Sequence, residues 1–144
     1  MKKIILMLSL VLIILSGCKK ETDKKLICTK NSKIEENDIV EVLETYFVED
    51  KISVANLETR LIVNEKYKEY VDVLEQQLIA NYSEYQNKKG IDFSILKGTE
   101  DVKVIIKINF KELTESLESL GIMNDDSTYL DISKTLPTIG FVCK

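Results

Sequence analysis

Three cysteines, Cys18, Cys28 and Cys143, carry the most reactive side chains in this sequence of 144 residues. A thiol can be acylated, joined to a second thiol, or lent to a metal ion. The metal use is set aside here. No histidine occurs, and two cysteines alone supply too few soft ligands for zinc. The serines lack a histidine base, and no G-x-S-x-G or S-x-x-K phrase is present. Five glycines form no phosphate-cradling loop. Glu35 with Glu36, or Glu41 with Glu44, offer a carboxylate pair for acid–base work, but acids this frequent read as solvated surface. Asp125, Asp126 and Ser127 lie in "NDDSTYLDISK", which lacks the central glycine and twelfth-position glutamate of an EF-hand; a helix N-cap explains them better. No enzyme, no metal and no cofactor are expected. One further group could bind without reacting. Tyr67, Tyr70, Tyr82 and Tyr85 fall on one helical stripe and read either as a groove for a peptide, glycan or lipid or as core packing, and core carries the greater weight.

Cys18 sits at the end of a signal-like segment. Lys2 and Lys3 precede the apolar run Ile4 to Leu15, whose twelve residues span only about 18 Å as a helix, short of the ~30 Å hydrocarbon core of a bilayer. Small residues, Ser16 and Gly17, then lead into the cysteine. Leu15-Ser16-Gly17-Cys18 resembles the lipobox of bacterial lipoprotein precursors. That resemblance implies removal of residues 1–17 and lipidation of Cys18. The competing reading is an uncleaved N-terminal anchor with an incidental cysteine. Two or three acyl chains, at ~0.8 kcal/mol per buried methylene, anchor a protein stably. The expected location is the extracytoplasmic face of the cell membrane, with the membrane as a partner through that anchor.

The whole chain carries a net charge of −4, and removal of 1–17 takes away two lysines and no acid, leaving −6. Residues 19–25 hold four lysines against two acids, so the body from Leu26 onward carries −8. Residues 18–25 read as a lipidated tether and 26–144 as a single domain. Arg60 is the only arginine, and an acidic body without an arginine cluster argues against nucleic-acid binding. With Cys18 assigned to lipid, Cys28 in "LICTK" and Cys143 in "GFVCK" remain, one near each end of the body. Exported domains meet a compartment where disulfides persist. A bridge closing about 116 residues is assigned roughly 4.8 kcal/mol by the chain-entropy model. It would make the two terminal segments neighbouring strands. Two buried free thiols are the alternative.

The elements that would position these groups follow from periodicity. Val102 to Phe110, "VKVIIKINF", alternates as a half-buried strand, and Ile91, Phe93 and Ile95 make its hairpin partner across "KGTED". An earlier hairpin joins 39–48 to 53–63 at Glu49 to Lys51, although Ile39, Leu43, Tyr46 and Phe47 also fit a helix. A long helix is expected over Glu65 to Lys89, a short one over Glu112 to Leu120, and a third from Asp126 or Ser127 to before Pro137. Gly140 to Cys143 would be the last strand. The expected fold class is α+β: an antiparallel sheet built from hairpins, with one long and two short helices packed on one face.

The lipobox, the charged tether, "ETYFVEDKISVANLET", "EKYKEYVDVLEQQL" and "VIIKINFKELTESLESLGI" together resemble the YehR-like family of small bacterial lipoproteins. The resemblance implies a membrane-anchored α+β domain and lends no activity. Two functions are expected to compete: an interaction or structural module acting on an envelope protein, and a carrier or sensor of a small hydrophobic ligand.

Overall fold

Strands that alternate apolar and polar residues gain most by lining up their apolar rows under one covering layer. The computed structural model, which describes residues 23–114 and 123–144, does this with a six-stranded sheet. Its strands are β1 (Lys24–Ile34), β2 (Asn37–Val48), β3 (Lys51–Ile62), β4 (Ile91–Lys97), β5 (Asp101–Asn109) and β6 (Val142–Cys143). The order across the sheet is β4-β5-β3-β2-β1-β6, and every pairing is antiparallel. One inner row can be followed strand by strand: Cys143, Cys28, Leu43, Leu57, Ile106, Phe93. Along β5, Val102, Val104, Ile106 and Ile108 are buried, whereas Lys103, Ile105, Lys107 and Asn109 lie on the other face.

The β2–β3 turn is a two-residue link in which Glu49 and Asp50 both have positive φ, the conformation that suits the twist of a tight hairpin. Just beyond it the register shifts, so that Tyr46 opposes Val54 but Phe47 opposes Ile52. Ser53 is the extra residue. Its insertion turns Ile52 into the core alongside Ala55.

The covering layer differs from the sequence expectation. Instead of one long and two short helices, the described residues contain two helical segments. The first is a 3-10 stretch, Glu65–Tyr70, that runs directly into an α-helix, α1 (Val71–Asn81), 17 residues in all. It stops well before Lys89, because the chain tightens again into a 3-10 turn at Ser83–Tyr85. A spacing of three residues suits a 3-10 turn as well as an α-helix, so the tyrosine spacing did not mark where one gave way to the other. The second is α2 (Tyr129–Thr138). Its cap is Thr128, not Asp126 or Ser127: Thr128 Oγ1 accepts from the Asp131 N–H, and the Asp131 carboxylate accepts from the Thr128 N–H. Pro137 lies inside its last turn rather than beyond it. No helix begins at Glu112. Lys111 and Glu112 form a turn held by Asn109, and the remainder of the expected helix, 115–120, lies outside the described residues.

Both helices rest on the same face. α1 lies over β4 and β5 and α2 over β1 and β6, and Ile132 and Leu136 join Leu26, Cys28, Leu43, Phe47 and Ile106 in one core. The other face carries cross-strand ion pairs, Lys25–Glu44, Lys33–Asp38, Arg60–Asp101 and Lys103–Glu58, with no described element over it. Among the described residues no helix is long and apolar enough to cross a membrane.

Candidate binding cleft

α1 seats itself on the sheet through Val71, Leu74 and Leu78, which pack with Val63, Val102 and Ile95. Tyr70 precedes the first of these by one residue, so it stands about 100° around the helix from that seam. Its side chain and that of Tyr67 therefore project beside the contact rather than into it. Their rings lie 6.5 Å apart, and Tyr67 is 37% and Tyr70 54% exposed. Beneath them opens a cleft of about 290 Å³, lined by Leu61, Val63, Val73, Leu74 and Gln77 with Glu35 and Asn37 from the β1–β2 turn. Val73, 52% exposed, extends its apolar wall to the surface.

Local hydrogen bonds hold this geometry. The Asn64 N–H donates to Asn37 Oδ1 at 2.9 Å, tying the start of the helical segment to the β1–β2 turn. Asn64 Oδ1 in turn accepts from the Lys66 N–H at 3.1 Å. Lys66 reaches Glu36 at 3.3 Å, bridging the same two elements. Glu35 is the one charged group lining the cleft.

The tyrosine stripe thus divides. Tyr67 and Tyr70 face the cleft, whereas Tyr82 and Tyr85 do not. Tyr85 is 4% exposed in the core, and Tyr82 stacks on Phe93 with ring centroids 5.9 Å apart. Burial pushes the Tyr82 hydroxyl up from its ordinary value, with the neighbouring Tyr85 adding to the effect.

The carboxylate pairs also separate. Glu41 and Glu44 are three apart on β2 and so point to opposite faces. Glu41 pairs with Lys30, and Glu44 accepts from the Tyr46 hydroxyl at 2.9 Å. That hydroxyl, and then the Lys25 ammonium, hold Glu44 below the usual carboxylate range. Glu36 is bridged by Lys66 while Glu35 turns to the cleft, so neither pair converges on a point where a substrate would react. Asp126 bonds Lys51 at 2.9 Å, and Asn124 and Ser127 close a turn beside it. Among the described residues no group of three potential ligands could hold a metal ion.

Cys28 and Cys143 are bonded to each other, directly opposite across β1 and β6, with Cα atoms 4.0 Å apart. The flanking Ile27 and Lys144 exchange both backbone hydrogen bonds, which makes the cysteines a closely spaced, non-hydrogen-bonded pair. Cys18 lies outside the described residues. What sequence reasoning missed is the cleft's floor. Leu61 and Val63 read as ordinary members of a core strand, and nothing in their types marks them as the floor of a cleft.

No protein-family profile matches the chain, and no curated protein does. Solved structures do. The chain is similar to a Streptococcus pneumoniae TIGR4 protein solved by NMR, with 13% identity, 90% of this chain and 89% of that one covered, and a TM-score of 0.56. It is similar also to the E. coli YehR protein, with 11% identity, 85% and 92% covered, and a TM-score of 0.60. At these identities the likeness speaks for architecture alone: the chain has a YehR-like fold.

Proposed function

We propose that this chain is a lipid-anchored, extracytoplasmic binding module of a bacterial envelope, which engages a protein partner through the cleft beside Tyr67 and Tyr70 and catalyses no reaction. The observation that carries the binding reading is that two tyrosines and Val73 stand exposed over an apolar cleft instead of joining the core. Aromatic side chains with an apolar face and a polar tip are enriched where proteins meet. Two features support the location. Lys2, Lys3, the short apolar run and Leu15 to Cys18 have the order of a lipoprotein precursor. The Cys28–Cys143 disulfide suits an oxidising compartment.

A carrier or sensor of a small hydrophobic ligand is the second reading, favoured by the apolar lining. Against it, the cleft's 290 Å³ falls just short of the ~300–1,000 Å³ typical of ligand sites.

The location is tested by labelling cells with a clickable fatty acid. Label on the wild type and none on Cys18→Ser is expected; equal labelling of both would remove the anchor. Partner binding is tested by crosslinking intact cells and comparing captured proteins between wild type and Tyr70→Ala. Identical captures would mean that the cleft is not the contact.

A further inference from the structure

Resting on that reading, we infer that the partner of the cleft is a basic, apolar protein segment: one or more Leu- or Phe-like anchors flanked by lysine or arginine. Position narrows the partner first. The tether enters at Lys24, the first residue of β1, and the cleft opens at the turn that follows Ile34, the last. Eleven residues of strand put about 33 Å between them. The point where the tether joins and the cleft thus lie at opposite ends of β1, which favours a protein over the bilayer as what fills the cleft.

Charge narrows it further. Leu61, Val63 and Leu74 accept an apolar side chain, and the faces of Tyr67 and Tyr70 accept either an apolar group or a cation. Glu35 is the acidic group of the lining. The neighbouring cations are engaged elsewhere: Lys66 with Glu36 at 3.3 Å and Lys68 with Glu100 at 2.6 Å. Among the described ion pairs none takes up Glu35, so the lining of the cleft presents an unpaired carboxylate on an already acidic body. Ile34, 60% exposed at the same turn, continues the apolar surface past the rim. A segment alternating cations with apolar anchors satisfies both features; an acidic or purely apolar one leaves the Glu35 carboxylate unanswered, and an anionic lipid surface is disfavoured.

The test uses the full chain in detergent and two fluorescein-labelled peptides, KLFKLFK and ELFELFE, with phosphatidylglycerol vesicles as a third probe. Saturable binding of the basic peptide is expected, about tenfold or more tighter than the acidic one and weakened severalfold by 0.5 M salt. Tyr70→Ala and Glu35→Gln should each weaken it about fivefold or more with the melting temperature unchanged. Equal binding of the acidic peptide, no binding of either, indifference to Tyr70→Ala, or Tyr70-dependent capture of the vesicles would overturn the inference. A photo-crosslinker in place of Tyr70, used in cells, separates this failure from that of the parent reading. An adduct on a basic, apolar segment supports both. An adduct on a protein segment without cations sinks this inference alone, and a lipid or small-molecule adduct, or none, sinks both.

Discussion

Tyr67 and Tyr70 open the helical segment, and Tyr82 and Tyr85 close it. Each pair is spaced by three residues, and the rings of each lie close, 6.5 Å apart in the first and 5.9 Å in the second. Their fates differ because of what lies underneath. At the closing end, β4 and β5 bring Phe93, Ile91 and Ile108 beneath the turn at Ser83–Tyr85, and the rings complete the core. At the opening end, the seam of Val71, Leu74 and Leu78 has already claimed the sheet, and the tyrosines are left over a cleft. The same residue type at the same spacing is thus structural in one place and available in the other. The supporting strand decides, not the tyrosine.

The contrast can be broken by truncation. Tyr85→Ala should cost about 3–5 kcal/mol, the range for removing a buried aromatic, read as a fall in the chemical-denaturation midpoint. A loss under about 1 kcal/mol would mean that Tyr85 does not anchor the core. Next in size is the disulfide. Cys28→Ser with Cys143→Ser should lower stability by about 2–5 kcal/mol while leaving the far-UV spectrum of the folded protein unchanged. Because the bridge sits at the α2 end of the core, that loss should be shared by core and cleft variants alike. Mass spectrometry of the protein purified without reductant gives the direct check, and two alkylatable thiols would contradict the bond.

The exposed pair should behave oppositely. Tyr67→Ala and Tyr70→Ala should each change stability by less than about 0.5 kcal/mol, as surface substitutions do. A cost comparable to Tyr85→Ala would move these residues into the core and close the proposed site. The smallest effect is alkaline. Tyr82 is held above the ordinary value of 10.0 mainly by burial, so its proton is retained in the fold and released from the unfolded chain. Stability attributable to Tyr82 is therefore complete below pH 10 and is lost as pH rises through its raised value. Tyr82→Phe should flatten that decline in urea melts taken between pH 9 and 11; an unchanged slope would mean that Tyr82 is not the cause.

How far the sequence could be read depended on whether one element or several decided the outcome. β5 was legible because a single strand, buried on one side, writes its alternation into consecutive residues. β1 was legible only around Cys28. Beyond it, Lys30 and Ser32 take the inner-face positions; Lys30 pairs there with Glu41, and the apolar alternation stops although the strand continues to Ile34. Its first two residues, Lys24 and Lys25, had read as tether. The helix end at Asn81 was obscured by Tyr82 and Tyr85, whose spacing fits either kind of turn. The cleft was not legible. It forms between β3, the β1–β2 turn and α1, and no run of neighbouring residues records that meeting.

The bond between Cys28 and Cys143 has a topological consequence. With 115 residues separating the two cysteines, nearly the whole described chain is a covalent circle, which the N-terminal residues enter just before Cys28. A protease that cuts once at the exposed Glu49–Asp50 turn, or once at Gly98 to Glu100, opens the circle but releases nothing. Both new ends remain joined through the sulfurs. Two cuts, or one cut and a reductant, are needed to shed a fragment. A nicked molecule should therefore migrate as a single species on a non-reducing gel and as two on a reducing one.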